Sequence, residues 1–398
     1  MTTLTPQDPA QAAGPRAQEA PRVRAELLDC LQANLAVLAD HHHGPDTHLR
    51  LGAALGFAPA PHGPGGLPTV EPSVEDQLAA AAQRLGLVVT DRSTRRPGTA
   101  PDASAQPSYV VADAYHLPWV PYHGHKHVEH SFLLEPGADG VTITDAYHND
   151  TPWGRARPLR LAYRRDETDA LLAALPPTTV TVRLSARTPG PAPAPVHAPA
   201  DEALIDAYLG AYAAHADRVL ALERFTLETW LLARARHLHA AYVTHLAGGE
   251  PDEAVRAHLT RWDGVVEHTY LAYRRVARGR AEPAGLFERA GEALRADTAV
   301  FGTRPSQDLE DEVRSVVAQV LHVHEDTLAV GAGGFDGDLS RLAEFGSLRM
   351  VEVVERLEQR FAVEFAPEDL VPENLHRVED LCALIRRSRP APLTPPAP

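Results

Sequence analysis

The sequence predicts an α+β protein with a mixed N-terminal part, a helical region and a separate all-α C-terminal domain of four helices. Three observations support this prediction. Short apolar runs bounded by turn residues lie between residues 109 and 184 and are typical of β-strands. Apolar residues recur with helical spacing from residue 201 to about residue 302. After a break near residue 303, further helical segments continue to residue 388.

The chain of 398 residues is long enough for two or three domains. Its composition predicts six segments in order: a disordered tail at 1–20, a mixed domain at 21–187, a Pro-rich linker at 188–200, a helical subdomain at 201–303, the all-α domain at 304–388 and a Pro-rich tail at 389–398. The prolines of the long linker favour a stiff, extended chain.

Composition and charge exclude several classes of protein. The formal net charge of −15 argues against nucleic-acid binding, because phosphate contacts need basic patches. No run approaches the ~18 apolar residues of a membrane span, and the N-terminus lacks the features of a signal peptide. Two cysteines, Cys30 and Cys382, are too few for a disulfide scaffold. We therefore expect a cytoplasmic protein that binds neither nucleic acid nor membrane.

The N-terminal part contains both helical and extended patterns. The spacing of apolar residues predicts helices at 23–39, 49–57 and 74–85. Short apolar runs predict strands at 109–113, 130–134, 141–145, 159–163 and 180–184. Cys30 lies in the first of these helices, near its start.

The segment 130–145 predicts a hairpin that brings an imidazole and a carboxylate together. Residues 135–140 have turn chemistry, and if they form the loop, Leu134 pairs with Val141. His130 then lies directly across from Asp145, with Cβ atoms about 5 Å apart. In that geometry a carboxylate holds an imidazole in one tautomer and stabilises its cation. A cysteine brought beside the imidazole, such as Cys30, would become a thiolate nucleophile.

Other residues compete for these positions. Asp150 or Asn149 could replace Asp145, and His127 could replace His130. A lone helical cysteine is most often a buried core residue. Clustered imidazoles can also bind zinc, and histidines occur at positions 41–43, 123, 125, 127 and 130. Because no His-Glu-x-x-His motif is present, we interpret the second cluster as a loop that lines a substrate channel and predict no metal site.

Cysteine in an N-terminal helix, followed by histidine and aspartate on later strands, is the chain order of papain-like enzymes. Residues 26–300 resemble the family of the butirosin biosynthesis protein H, which is related to the papain-like, C39-like bacteriocin-processing peptidases. The matching pieces are Asp29-Cys30 with Asn34-Leu35, Gly52 to Phe57, Val110 to Trp119, His130 with its apolar strand, and Asp145.

The resemblance implies a papain-like cysteine-protease fold with a helical C-terminal part. It also implies transfer of an acyl or aminoacyl group from a carrier protein to an amine. In that reaction Cys30 is the nucleophile, His130 the base and acid, and Asp145 the orienting group. Papain-like enzymes have a glutamine shortly before the cysteine to stabilise the oxyanion, but here that region holds Arg22 and Arg24. The backbone N–H of Cys30 is an alternative donor.

The C-terminal domain is predicted from helices at 309–323, 347–361 and 378–387 and a Gly/Asp-rich loop at 331–340. The helix at 347–361 has apolar residues every three or four positions, which predicts a buried stripe of Leu348, Val351, Val354, Leu357 and Phe361. Ser347 lies at its start, where a serine oxygen can cap the backbone.

This order of elements over residues 304–388 resembles an acyl or peptidyl carrier protein. The resemblance implies that Ser347 carries 4'-phosphopantetheine covalently and that the arm holds an acyl or aminoacyl group as a thioester. It further implies a phosphopantetheinyl transferase and an acyl- or aminoacyl-loading ligase or synthetase as partners. Gly346 stands where the family usually has aspartate. An unmodified carrier-like domain is the alternative.

Together, the two resemblances predict an acyl or aminoacyl transferase of natural-product (antibiotic) biosynthesis. It would move a carrier-bound thioester from phosphopantetheinyl-Ser347 via Cys30 to a small-molecule amine acceptor. A thioester is an activated acyl group that a Cys-His pair accepts readily. A thioesterase or peptidase with the same three residues is one alternative, and a non-catalytic carrier or docking protein with a degenerate protease-like domain is another.

Overall fold

The structure, a computed structural model, describes residues 15–94, 107–137, 139–302, 305–328, 337–361 and 363–388. The chain forms two compact units, which we call unit 1 (residues 1–302) and unit 2 (residues 303–398). Unit 1 combines helices with a β-sheet, and the described part of unit 2 is helical. The predicted mixture of helix and sheet and the helical C-terminal domain are therefore confirmed.

Unit 1 is built around an antiparallel sheet. The described strands of unit 1 are β1 (Arg16–Ala17), β2 (Ala54–Leu55), β3 (Leu87–Thr94), β4 (Ser108–Asp113), β5 (Glu129–Gly137), β6 (Gly140–Asp145), β7 (Asn149–Thr151), β8 (Gly154–Ala156), β9 (Leu159–Arg164), β10 (Val180–Ala186) and β11 (Val196–His197). The main sheet has seven strands in the order β1-β9-β6-β5-β4-β10-β3. The strands β7 and β8 form a separate hairpin, and β2 pairs with β11 in parallel.

The helices of unit 1 are α1 (Gln32–His43), α2 (Val74–Ala80), α3 (Arg165–Ala174), α4 (Glu202–Ala214), α5 (Arg218–Ala247), α6 (Glu253–Val276) and α7 (Leu286–Phe301). Alternate residues of the central strands point to opposite faces of the sheet. Tyr109 and Leu133 pack in one core with α1, whereas Val110 and Phe132 pack in another core with α3. The centre of the sheet is therefore covered on both faces.

The hairpin of β5 and β6 has a different register from the predicted one. Leu134 pairs with Ile143 rather than with Val141, because the strands extend to Gly137 and Gly140 and leave a shorter turn. The prediction that His130 lies directly across from Asp145 is therefore wrong. The register differs by two positions along β6, and an even shift keeps each side chain on its face. His130 and Asp145 become diagonal neighbours, which long side chains can still bridge.

The start of the chain also differs from its prediction. The first helix begins at Gln32 rather than at residue 23, because the Asp29 carboxylate accepts the backbone N–H groups of Leu31 and Gln32. Residues 1–14 of the predicted disordered tail lie outside the described residues. The end of that tail, Arg16–Ala17, forms β1 and pairs with β9.

The predicted helix at 49–57 is replaced by a 3-10 helix at Thr47–Ala53 followed by β2. Gly52 explains why this segment is irregular: its backbone lies so close to the Leu238 carbonyl of α5 that a Cβ atom would collide with it. The Gly52 carbonyl also lies 2.7 Å from Nδ1 of His239 on α5. Tertiary contacts with α5 therefore override the local helical pattern.

The segment predicted to be a linker, residues 188–200, packs against the rest of unit 1. The Tyr242 hydroxyl donates a hydrogen bond to the Pro193 carbonyl at 2.6 Å, and Arg50 donates to the Gly190 carbonyl at 2.8 Å. Val196–His197 forms β11 and pairs with β2. The helices α4 to α7 follow directly and belong to the same compact unit.

A buried ionic network ties α5, α6 and α7 together. Asp297 accepts hydrogen bonds from Nε of Arg236 at 3.1 Å and from Nη2 at 2.5 Å, and its other oxygen lies 2.8 Å from Nε2 of His258. The Trp262 indole N–H donates to the same carboxylate at 3.2 Å. Burial alone would raise the pKa of Asp297, but His258 and Arg236 lower it below its ordinary value.

We expect the Asp297→Ala variant to lose about 3–5 kcal/mol of unfolding free energy, because it leaves the buried Arg236 charge without its carboxylate. Denaturant unfolding followed by tryptophan fluorescence measures this, since all four tryptophans lie in unit 1. The matched control is Asp206→Ala, which removes the partner of Arg295 from a solvent-exposed pair. That loss should stay within about 1 kcal/mol. Equal losses in the two variants would contradict a structural role for the network.

Unit 2 contains α8 (Pro305–Leu321), α9 (Ser347–Phe361), α10 (Pro372–Leu375) and α11 (Val378–Ser388). Its core joins these helices, and Cys382 is buried in it. Most of the predicted Gly/Asp-rich loop at 331–340, the residues 303–304 of the shorter break and the tail at 389–398 lie outside the described residues. No helix in the described parts of the chain is long and apolar enough to span a membrane.

The buried stripe of α9 differs from the predicted one at the start of the helix. Met350 and Val353 point into the core together with Val354 and Leu357. Leu348 and Val351, which were predicted to be buried, are 84% and 54% exposed. The apolar residues of α9 cover more than one face, so their spacing alone fits two overlapping stripes, and packing against the other helices selects one of them.

Candidate active site and carrier attachment site

His130 and Asp145 form a buried hydrogen-bonded pair at the end of the hairpin. The Nε2 atom of His130 lies 2.7 Å from Oδ2 of Asp145, and both side chains are almost fully buried. The Trp119 indole N–H donates to the same oxygen at 2.9 Å, and the Tyr147 backbone N–H donates to the other at 3.0 Å. Asp145 is therefore fixed by neighbours on two other segments.

The protonation of this pair follows from its partners. Burial alone would raise the pKa of Asp145, but His130, the Tyr147 N–H and the Trp119 N–H lower it below its ordinary value. The ionised carboxylate only accepts hydrogen bonds, so Nε2 of His130 must carry the proton. The basic nitrogen of neutral His130 is then Nδ1, which makes no hydrogen bond to any described residue. This is the tautomer that a general base needs.

Cys30 lies in the turn just before α1, directly after Asp29, and is partly exposed, so the prediction that it lies within the first helix is wrong. Its thiol contacts the Glu129 carbonyl at 3.5 Å, and its carbonyl accepts a hydrogen bond from Oγ of Ser131 at 2.7 Å. The residues on both sides of His130 therefore hold Cys30. Within the described residues, the thiol makes no hydrogen bond to the imidazole itself.

Asn34 fixes α1 to the two strands of the hairpin. Its Nδ2 atom donates to the Ser131 carbonyl at 2.8 Å, and its Oδ1 accepts the Ala146 N–H at 3.0 Å. The side chain is fully buried. Because Asn34 follows Cys30 by one helical turn, it sets the position of Cys30 relative to His130 and Asp145.

Arg234 on α5 holds the segment that leads to Cys30. Its guanidinium donates to the carbonyls of Ala25, Glu26 and Leu28 at 2.6–3.0 Å and to the His148 carbonyl at 2.6 Å. It also stacks over the Trp230 ring at 4.2 Å. The helical part of unit 1 thus positions both the approach to Cys30 and the loop after Asp145.

The surroundings of Cys30 do not favour a free thiolate. Burial raises the pKa of the thiol well above its usual value, and the charges of Asp29, Glu71 and Asp145 raise it further. The N-terminus of a helix favours a thiolate, but burial, which is the largest cause, and then the carboxylates raise the pKa of Cys30. A raised pKa favours the thiol form of Cys30, which needs a base to take its proton during attack.

We expect the Glu71→Gln variant to react faster at Cys30 with iodoacetamide at pH 8. Removing the negative charge of Glu71 lowers the pKa of the thiol and so increases the fraction of Cys30 that is thiolate. Below the pKa, each unit by which the pKa falls raises the thiolate fraction about tenfold. In the wild-type protein the rate should keep rising with pH beyond the ordinary thiol pKa. Peptide mass spectrometry separates Cys30 from Cys382.

The matched control for this experiment is Glu75→Gln. Glu75 is exposed on α2 and pairs with Arg92 at 2.6 Å. Its removal should leave the Cys30 alkylation rate unchanged. An unchanged rate in Glu71→Gln as well would contradict the effect of that carboxylate on the thiol.

The oxyanion donor has one backbone candidate. The N–H of Cys30 donates to no other described residue and lies next to the sulfur, as an oxyanion donor must. The nearby glutamine side chains both bond to Asp29: Gln77 donates to its carboxylate at 2.7 Å, and the oxygen of Gln32 accepts its backbone N–H at 3.3 Å. Gln18 is placed beside β9, where its N–H donates to the Arg160 carbonyl.

The competing residues have other partners. Asp150 pairs with Arg157 at 2.6 Å on the surface, and Asn149 donates to the Tyr147 hydroxyl at 2.9 Å. His127 is exposed and lies 2.6 Å from Asp113. Within the described parts of the chain, no group of three or more histidine, cysteine or acidic side chains is arranged to hold a metal ion.

Ser347 begins α9 on the surface of unit 2, and its side chain is exposed. A Cβ atom added to Gly346 would meet no atom within 4 Å. The position directly before the exposed serine is therefore uncrowded. An exposed hydroxyl at an uncrowded helix start fits the covalent attachment of a long, flexible arm.

Comparison with known protein families identifies the C-terminal segment. Residues 311–385 match the family described as a phosphopantetheine attachment site. No curated protein matches the chain. The C-terminal domain is thus a carrier domain, the site of covalent 4'-phosphopantetheine attachment, and the predicted cofactor is confirmed. Such domains are modified by phosphopantetheinyl transferases and loaded by ligases. Ser347 lies within the matched segment.

Several residues that shape the site were not singled out from the sequence. Trp119 holds Asp145, Ser131 holds Cys30, and Arg234 holds the preceding segment. The sequence could have identified Asn34 as a residue of the site, because it lies four positions, or one helical turn, after Cys30. No such indication existed for Arg234, since its partners are backbone carbonyls, three of them about 200 residues and one 86 residues earlier in the chain.

Proposed function

We propose that the protein is an acyl or aminoacyl transferase of natural-product biosynthesis that forms an amide. Unit 1 is then a cysteine acyltransferase with a papain-like fold, similar to the butirosin protein H family, and Ser347 carries the donor. The carrier domain supports a thioester donor. The observation that carries the catalytic part is the buried His130–Asp145 pair, with Cys30 held by the residues on either side of His130.

The first step transfers the acyl group to Cys30. Phosphopantetheine, when attached to Ser347, supplies an acyl thioester. Nδ1 of His130 takes the proton of the Cys30 thiol as the sulfur attacks the thioester carbonyl. The backbone N–H of Cys30 stabilises the negative oxygen. The bond between the carbonyl carbon and the donor sulfur breaks, and His130 returns the proton to that sulfur.

The second step transfers the acyl group from Cys30 to an amine. His130 takes a proton from the amine as its nitrogen attacks the acyl-Cys30 carbonyl. The new C–N bond forms, the bond to the Cys30 sulfur breaks, and His130 protonates the departing thiolate. Asp145 stabilises the imidazolium in both steps. Water must be kept from the acyl-Cys30 carbonyl, since hydrolysis would otherwise compete.

Product analysis tests this proposal. The carrier domain is loaded with a labelled acyl group, and the products are separated with and without a panel of primary amines. A transferase forms a labelled amide whose yield rises with amine concentration, and His130→Gln forms none. A labelled free acid at the same rate in all reactions would instead indicate a thioesterase or peptidase. No product dependent on His130 would indicate a non-catalytic carrier protein.

A further inference from the structure

A cavity of about 1120 Å³ opens in unit 1 beside His130. Its wall includes Tyr147, whose ring packs edge-on against the His130 imidazole with 5.1 Å between the ring centroids. Glu26 and Leu27, in the segment that leads to Cys30, belong to the same wall. The cavity is therefore lined by residues that border His130 and Cys30, although neither of those two side chains is part of its wall.

Three neutral side chains on this wall are hydrogen-bonded to one another, and we call Tyr122, Tyr147 and Asn149 the Tyr–Tyr–Asn cluster. Nδ2 of Asn149 donates to the Tyr147 hydroxyl at 2.9 Å and to the Tyr122 hydroxyl at 3.5 Å. The two hydroxyls lie 3.2 Å apart. The cluster is thus a preformed polar site in contact with His130 through the Tyr147 ring.

The bonds inside the cluster leave one donor and one acceptor unused. Both N–H groups of the Asn149 amide are engaged, but its oxygen accepts from no described residue. Only one phenol can donate to the other across their shared contact, so one O–H stays available. Tyr147 is nearly fully buried whereas Tyr122 is partly exposed, which assigns the free O–H to Tyr122.

Charged groups elsewhere on the wall are mostly paired already. The pairs are Lys126 with Glu223 at 2.7 Å, His237 with Asp263 at 2.9 Å, and Asp150 with Arg157 at 2.6 Å. The Tyr–Tyr–Asn cluster is therefore a part of the wall that both touches His130 and keeps free hydrogen-bonding capacity. Neutral donors and acceptors select a neutral polar ligand group rather than an ion.

A secondary amide has groups of both kinds: its carbonyl can accept from the Tyr122 O–H, or its N–H can donate to the Asn149 oxygen. We propose that the Tyr–Tyr–Asn cluster binds the amide next to the sulfur of a phosphopantetheine arm and so positions the thioester for Cys30. In that arm a short methylene link separates the last amide from the sulfur. This inference rests on the proposed function, which brings such an arm to unit 1.

Direct binding tests the site without any turnover. The full-length Ser347→Ala protein, which lacks an attachment hydroxyl, is titrated with S-methylpantetheine by calorimetry. Tyr122→Phe and Asn149→Leu should each weaken binding by about tenfold, which corresponds to the loss of one hydrogen bond. The matched control is Tyr273→Phe, because Tyr273 lines the same cavity and its hydroxyl bonds to no described residue. That variant should bind like the parent protein.

S-methyl-N-acetylcysteamine, which keeps only the amide next to the sulfur, should bind more weakly but with the same sensitivity to Tyr122→Phe and Asn149→Leu. Absence of binding, or equal affinity in all variants, would overturn the site. An increase in KM for the amine in Tyr122→Phe, with unchanged S-methylpantetheine binding, would assign the cluster to the acceptor and also overturn it. Acylation of Cys30 by a loaded donor, measured separately, would show whether the proposed function survives.

Discussion

The Cys30→Ala variant should lose acyl transfer by at least about 10⁴-fold, whereas loading of the carrier domain should stay at the wild-type level. The nucleophile forms the covalent intermediate, and the remaining groups cannot replace the sulfur. Cys30 belongs to unit 1, so its removal leaves the carrier domain intact. The measurement is the amide yield from a labelled acyl group, with the label on the carrier domain quantified in parallel.

The matched control is Cys382→Ala, which removes the cysteine buried in the core of unit 2 and should preserve transfer. His130→Gln should be as inactive as Cys30→Ala, and Asp145→Asn should lose about 10²–10⁴-fold, since it leaves the imidazole in the wrong tautomer. Persistence of amide formation in Cys30→Ala would contradict covalent catalysis.

The second large effect concerns the attachment of the arm. The Ser347→Ala variant, co-expressed with a broad phosphopantetheinyl transferase, should show no mass increment, whereas the wild-type protein should gain one arm. No other hydroxyl can occupy the start of α9 in that variant. Ser340→Ala is the matched control, because Ser340 is also in unit 2 and bonds only to Asp338 in the described residues. It should be modified like the wild type.

Gly346→Asp extends this test. It restores the acidic residue that carrier domains usually have before the serine, and an added Cβ atom meets no atom within 4 Å. Modification should be at least as fast as in the wild-type protein. If the mass increment persists in Ser347→Ala, or disappears in Ser340→Ala, the arm is attached to a residue other than Ser347.

The sequence was most informative where chemistry is local. The carrier domain follows from the order of its helices, and the family comparison confirms its cofactor. His130 and Asp145 were placed on one face by the two-residue period of strands, and this period tolerates the wrong register because the error was two residues. Had the hairpin turn differed by one residue, the same reasoning would have separated the two side chains.

What the sequence could not predict depends on distant contacts. The irregular segment around Gly52 is set by α5, and Arg234 acts on backbone carbonyls of a far part of the chain. The exposure of Leu348 and Val351 depends on how α9 packs in unit 2. The raised pKa of Cys30 comes first from burial and then from carboxylates such as Glu71, which lies 41 positions away in the sequence, and both causes arise only on folding. The catalytic roles of Cys30, His130 and Asp145 stay predictions.

Trapping of the acyl-enzyme tests the central claim most directly. The loaded protein is incubated without amine, quenched in acid and digested, and the peptide that contains Cys30 is weighed by mass spectrometry. The account predicts an acyl group on Cys30 in the wild-type protein and in Ser340→Ala, none in His130→Gln, and release of the label when an amine is added. A donor that is consumed to give amide while Cys30 stays free, or that remains on the carrier domain under all conditions, would contradict it.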